Sequence, residues 1–225
     1  MRSLPHALAV FAVILVLFGI WNWRHHRPHT SPENGQLRGH LYTNSYFGFT
    51  VTLPTNWPVF HQAELEKGIH TNLPPPQRIH SPLMGSFEIP DVAVHNLLTT
   101  SEDAASLTDG TMTPTNTTFT ILAQNVSFIP EMRSGRNVLA TWLGAFEITR
   151  HSDDNQIQAQ GPKEAPIGGR TFYCDTFHAS PHGVPVVRRL YARVEQGHAL
   201  VFVLIAPTDR DLEPLEKILA TAHFN

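Results

Sequence analysis

Residues 185–206 read PVVRRLYARVEQGHALVFVLIA, and the pattern within them decides the fold. In an extended chain, alternate side chains point to opposite faces. Val186, Leu190, Ala192 and Val194 then share one face, while Arg189, Tyr191, Arg193 and Glu195 share the other. Gln196-Gly197 predicts a tight turn. The following HALVFVLIA is apolar on both faces, which places it inside a sheet covered on each side, with helices over at least part of each cover. The stretch therefore predicts a hairpin that leads into the middle of a sheet.

Working outward, Gly168-Gly169 marks a turn, and residues 170–178 (RTFYCDTFH) read as the strand that follows it. Far upstream, YFGFTVTL places Phe47, Phe49, Val51 and Leu53 on one face and Gly48, Thr50 and Thr52 on the other. Pro54 and Pro58 flank a turn that carries Trp57. Downstream, Leu212, Leu215, Ile218, Leu219 and Ala222 form a stripe at helical spacing. Asp209 or Asp211 is the expected cap of that helix, with Glu213 and Pro214 in its first turn. A second helix is expected over residues 137–147, where Val138, Leu139, Trp142, Leu143 and Phe146 fall on one side, although alternation there also suits a strand. A third is expected from Ser101 to Leu107, with Ser101 as its cap. Residues 68–90 contain five prolines and read as a long loop or an edge with short pieces.

At the other end, Leu4 to Trp23 is a run of 20 residues without a full charge. As a helix it would span ~30 Å, the thickness of a bilayer core. Trp21 and Trp23 close the run where indoles favour the membrane–water interface, and Arg24 and Arg27 stop it. The competing reading is a cleaved signal peptide. The tryptophans, arginines and histidines that follow the run make a poor cleavage context, which favours an uncleaved single-pass anchor. The only cysteine is Cys174, so no lipidated cysteine follows the run. The expected organisation is an anchor at 1–23 contacting membrane lipid through residues 4–23, a polar tether at 24–40, and an α+β domain at 41–225. Arginines on both sides of the run leave its orientation open.

The chain has 225 residues, a net charge of −3, and 16% charged residues against ~25% in ordinary domains. Four of its 16 bases (Arg2, Arg24, Arg27, Arg38) and one of its 19 acids (Glu33) precede residue 41, so the domain carries −6. That balance excludes a polyanion binder held by bulk charge, and no nucleic-acid partner is expected. A single cysteine excludes a disulfide framework and a multi-cysteine zinc site.

Fourteen histidines invite a metal reading. His178 and His182 stand four apart beside Asp175, a spacing that suits zinc on a helix. Pro181 and Gly183 make the segment a turn, which removes the helical geometry. His25, His26 and His29 lie in the tether, and His70, His80 and His95 lie outside any motif. Cys174 reads as a small, buried side chain, with His178 the nearest base in sequence on its face. Arg189 and Arg193 flank Tyr191, and with Arg188 they form a local basic patch, expected to be a solvated face paired with acids. Asn116 and Asn125 open sequons, which matter only in a secretory pathway that glycosylates. No G-x-S-x-G occurs, and neither glycine pair opens a phosphate-cradling helix. No catalytic, metal or cofactor residue is assigned, and no cofactor is expected.

The opening NSYFGFTVTLPTNWPVF resembles the start of PsbP-like and DcrB-like domains, which begin with an aromatic–Gly–Phe strand, then a proline, then a tryptophan. Ile167 to Phe172, Pro185 to Ala206 and Leu212 to Phe224 also resemble that family. The resemblance implies an antiparallel sheet flanked by helices, the Ran-binding Mog-type fold. It also implies extracytoplasmic placement and a non-catalytic role binding another protein. The middle, residues 67–156, does not share it. The expected function is thus a membrane-anchored cell-envelope protein whose domain binds a partner protein or ligand. The rival is a metal-assisted or thiol enzyme built on the histidine-rich segments.

Overall fold

The computed structural model describes residues 31–60, 78–81, 85–88, 94–102, 117–148, 158–180 and 184–225. The strands are β1 (Gln36–Arg38), β2 (Leu41–Asn44), β3 (Phe49–Thr52), β4 (Val59–Phe60), β5 (Arg78–Ser81), β6 (Gly85–Glu88), β7 (Val94–Ser101) and β8 (Thr118–Asn125). Helix α1 (Gly135–Ile148) follows, then β9 (Gln158–Ala159), β10 (Lys163–Ile167), β11 (Arg170–Ala179), β12 (Val186–Glu195) and β13 (His198–Ala206). Helix α2 (Glu213–Ala220) and β14 (His223–Phe224) complete the order. Every strand pairing among the described residues is antiparallel. The fold is α+β.

The main sheet runs β10-β11-β12-β13-β8-β7-β4, with β9 also on β11. β13 lies in its middle, as its apolar sequence requires. The hairpin before it turns at Gln196-Gly197, between the paired residues Glu195 and His198, with φ of 51° and 78°. Left-handed backbone at both turn residues matches the twist of a two-residue hairpin. Gly168-Gly169 repeats the arrangement between β10 and β11. A Cβ on Gly168 would stand 2.6 Å from the carbonyl oxygen of Ala222, so that position needs glycine for space as well.

The two faces of β13 feed two cores. Leu200, Phe202, Leu204 and Ala206 pack under a second sheet, β1-β2-β3-β14, together with α2. Ala199, Val201 and Val203 pack with Val138 and Leu139 of α1. Three layers result, each cover carrying a helix as expected, and the cover over Phe202 is mixed. It is a small sheet plus a helix, because Tyr42, Phe49, Val51 and Phe224 turn one strand face inward. The first core holds a cluster of phenylalanines. Phe202 lies 5.6 Å from Phe49, 5.6 Å from Phe172 and 6.1 Å from Phe119, ring centre to ring centre.

Helix α1 confirms the helical reading of residues 137–147. Ser134 caps it by accepting a hydrogen bond from the Asn137 N–H at 3.2 Å. Three expectations are corrected. Ser101 ends β7 and donates to the Thr117 carbonyl at 3.1 Å instead of opening a helix; residues 103–107 lie outside the described residues. Neither Asp209 nor Asp211 caps α2. A 3-10 turn, Asp209–Leu212, precedes it, and Thr208 at the start of that turn donates to the Asp211 carboxylate at 2.6 Å. Finally, residues 36–38 of the expected tether form β1. Their backbone pairs with β2, and Leu37 packs on the first core. The anchor at 4–23 lies outside the described residues, among which no helix is long and apolar enough to cross a membrane.

Candidate functional site

The residues singled out for chemistry converge on β11 and β12. On the α2 side of this pair, Cys174 stands opposite Tyr191, and Thr176 opposite Arg189. Arg189 donates to the Thr176 hydroxyl at 2.9 Å and forms an ion pair with Glu216 of α2. Arg193 binds the Glu195 carboxylate at 3.2 Å and the Thr171 carbonyl at 3.0 Å. Tyr191 packs against the first core. The arginines of the stripe are therefore paired with acids, as expected, but the face is not a solvated one: Tyr191 packs on the first core and Arg189 ties α2 to the sheet.

Cys174 is half-buried on this face. Burial pushes its thiol up, against the opposing pull of the Tyr191 hydroxyl and the Arg189 charge. Burial likewise raises Tyr191 strongly. A thiol held protonated is a poor nucleophile, because the thiolate is the reactive form.

His178 lies further along the same face. Its Nε2 meets the Asp209 carboxylate at 3.0 Å, in the open, with 43% and 64% of the side chains exposed. Asp175 points the other way, to the face of Phe177 and α1, and is 1% exposed. Its location is explained by the edge strand. β9 and β10 both pair with β11, and the interruption between them at Gln160–Pro162 falls opposite Asp175. The N–H groups of Thr176, Gly161 and Gln160 and the Lys163 charge favour the carboxylate, but burial outweighs them and raises its pKa. Neither carboxylate oxygen completes a hydrogen bond among the described residues.

His178 and Asp175 are thus not brought together, and His182 lies outside the described residues, as do His25, His26, His29, His70 and Asn116. No group of three or more histidine, cysteine or acidic side chains among the described residues could hold a metal ion. Arg188 lies on the Asp175 face with its guanidinium 6.0 Å from the centre of the Phe177 ring, and burial lowers its pKa. His80 falls in β5, paired with Ser86 of β6. His95 pairs with Glu33 at 2.9 Å, which fastens the start of the described chain to β7. Asn125 ends β8, and its side-chain oxygen accepts from both the N–H and the hydroxyl of Ser127.

Two arrangements escaped the sequence reading. The Tyr46 hydroxyl meets His198 Nδ1 at 2.7 Å and donates to the Gln196 carbonyl at 3.2 Å, while Gln196 Nε2 donates to the Tyr46 carbonyl at 3.2 Å. This contact joins the β2–β3 turn to the β12–β13 turn. On β7 and β8, half-buried Asn96 and buried Thr99 and Thr120 form a chain of hydrogen bonds of 2.7 and 3.2 Å. The alternation in TFTILAQN carried the signal for the second, but a polar strand face reads by default as solvent-facing.

No protein-family model matches the sequence, and no curated protein matches it. Several solved structures are similar to it. The solution structure of cyanobacterial PsbP (CyanoP) from Synechocystis sp. PCC 6803 has a TM-score of 0.44 at 11% identity, over 84% of this chain and 95% of that one. The protein of unknown function PA94 from Pseudomonas aeruginosa has a TM-score of 0.39 at 16% identity, over 64% and 90% of the two chains. LpqN, involved in cell envelope biogenesis of Mycobacterium tuberculosis, has a TM-score of 0.35 at 14% identity, over 75% and 99%.

Proposed function

We propose that this chain is a single-pass, membrane-anchored cell-envelope protein, and that its PsbP/DcrB-like domain binds a partner protein or ligand without catalysis. The observation that carries the non-catalytic reading is the division of β11. Asp175 and His178 occupy opposite faces of the strand, and His178 pairs with Asp209 at the surface. Acid–base or nucleophilic chemistry needs the participating groups within hydrogen-bond reach of one reacting atom. Cys174 is likewise held by burial in its protonated form. The family reading is supported by where the resembling segments fall. Residues around β3, the strands β11 to β13, and the end segment α2–β14 all contribute to the first core, alongside Leu98 of β7 and Phe119 and Ile121 of β8. The anchor reading is supported by the uncharged run from Leu4 to Trp23.

The test is gentle detergent extraction of the full chain from its native membrane, followed by co-purification. A stoichiometric partner supports the reading. A lone species with stoichiometric zinc, copper or nickel, or a fast-reacting thiol, would replace it with the enzyme reading.

A further inference from the structure

The small sheet has two unlike faces. Tyr42, Phe49, Val51 and Phe224 turn inward. The outer face carries Gln36, Arg38, Leu41, Thr52 and His223, all exposed, with Leu41 43% exposed. Arg38 and Leu41 are cross-strand partners. No aspartate or glutamate occurs in any of the four strands, although the domain as a whole is acidic.

The attachment of the chain places this face. Pro32 accepts a hydrogen bond from Asn44 Nδ2 at 2.7 Å, Glu33 pairs with His95 at 2.9 Å, and β1 begins at Gln36. The domain is thus fastened from about Ser31, and residues 24–30 alone separate it from Trp23. Fully extended, that link reaches at most about 28 Å. A domain of this length has a radius of gyration of about 16 Å, hence a width of about 40 Å. The link is shorter than the domain is wide, so the part of the domain around Ser31, from which β1 starts, stays near the anchor.

Resting on the reading of residues 4–23 as an anchor, we propose that the outer face of the small sheet docks on the anionic headgroup layer of the membrane that holds it. Leu41 enters the interface, and Arg38 beside it binds lipid phosphate. One leucine and one arginine give a weak contact, which suffices because a short tether holds the two surfaces at high effective concentration.

The experiment uses the full chain in vesicles of phosphatidylcholine with ~30% phosphatidylglycerol, a composition with a negative surface potential. An environment-sensitive fluorophore is placed at Leu41→Cys, or at Thr52→Cys on the same face, in a Cys174→Ser background. A third probe, at Glu164→Cys on the edge of the main sheet, is the comparison. Flotation after a carbonate wash reports the anchor independently. The expected result is flotation, with blue-shifted, lipid-quenched emission at positions 41 and 52 but not at 164. Arg38→Glu or purely zwitterionic vesicles should abolish the shift. Failure to float overturns the anchor reading and the docking with it. Flotation with water-like emission at 41 and 52, equal quenching at 164, or indifference to lipid charge overturns the docking alone.

Discussion

Replacing Phe202 with alanine tests the three-layer reading at its centre. Phe202 is fully buried on β13 and touches ring faces or edges from β3, β8 and β11. The substitution leaves a cavity where those layers meet, so the loss combines the transfer energy of the ring with the cavity term. For buried phenylalanines this sum is about 3–5 kcal/mol. Each aromatic pair contributes a further ~0.5–1.5 kcal/mol beyond its area, so the upper part of the range is expected. Domains of this size lose roughly 2–4 °C of Tm per kcal/mol, which sets the drop at about 6–20 °C. Thermal melts followed by near-ultraviolet circular dichroism, with urea titrations beside them, measure it. Phe128→Ala is the control: that ring is 61% exposed, and its loss should stay within about 0.5 kcal/mol. A Phe202→Ala chain no less stable than the Phe128→Ala chain would refute the proposition that the small sheet packs on β13.

Three further outcomes follow from the same geometry. Asp175 has a raised pKa in the fold, so native structure favours its neutral form. Stability from that form is full below the ordinary carboxylate range, near pH 3.9, and declines as pH rises through the raised value. Asp175→Asn, which cannot ionise, should therefore gain stability relative to the parent as pH rises from 3.5 to 7; urea titrations at both pH values showing no relative gain would reject the assignment. Gly135→Ala should destabilise by about 1–3 kcal/mol despite the better helix propensity of alanine, because a Cβ there collides with the Ala192 carbonyl oxygen. A stabilised variant in the same melts would mean that α1 does not press on β12. Cys174 should react with a thiol reagent more slowly in the native chain than in urea at pH 7, with a native rate still climbing above pH ~8.5, the ordinary thiol range; a native rate that levels off below neutrality would contradict the burial-raised thiol.

What the sequence revealed depended on whether a segment's neighbours were local. β13 was legible because both of its faces are apolar, and the hairpin before it because Gln196-Gly197 matches a two-residue turn. The cover over Phe202 was less legible. It joins β1, β2 and β3 to β14, and a two-residue strand such as His223–Phe224 has no periodicity to read. The start of α2 failed for a different reason. Asp209 and Asp211 are both good caps by residue type, and only the backbone places Thr208, which neither pattern singled out, at the start of the turn.

The candidate site yields the more general argument. Asp175 and His178 are close in sequence, but they are separated by three positions, an odd number. Once residues 170–178 are read as a strand, alternation alone sends them to opposite faces. The same rule puts Cys174, Thr176 and His178 on one side and Asp175 with Phe177 on the other, which the structure bears out. Proximity in sequence gathers chemistry only on a helix or in a loop; within a strand, parity must be applied before spacing. Under that rule the partners of Arg189 were to be sought across the layer and not along the chain, and Glu216 of α2, which pairs with it, is one that strand patterning could not have named.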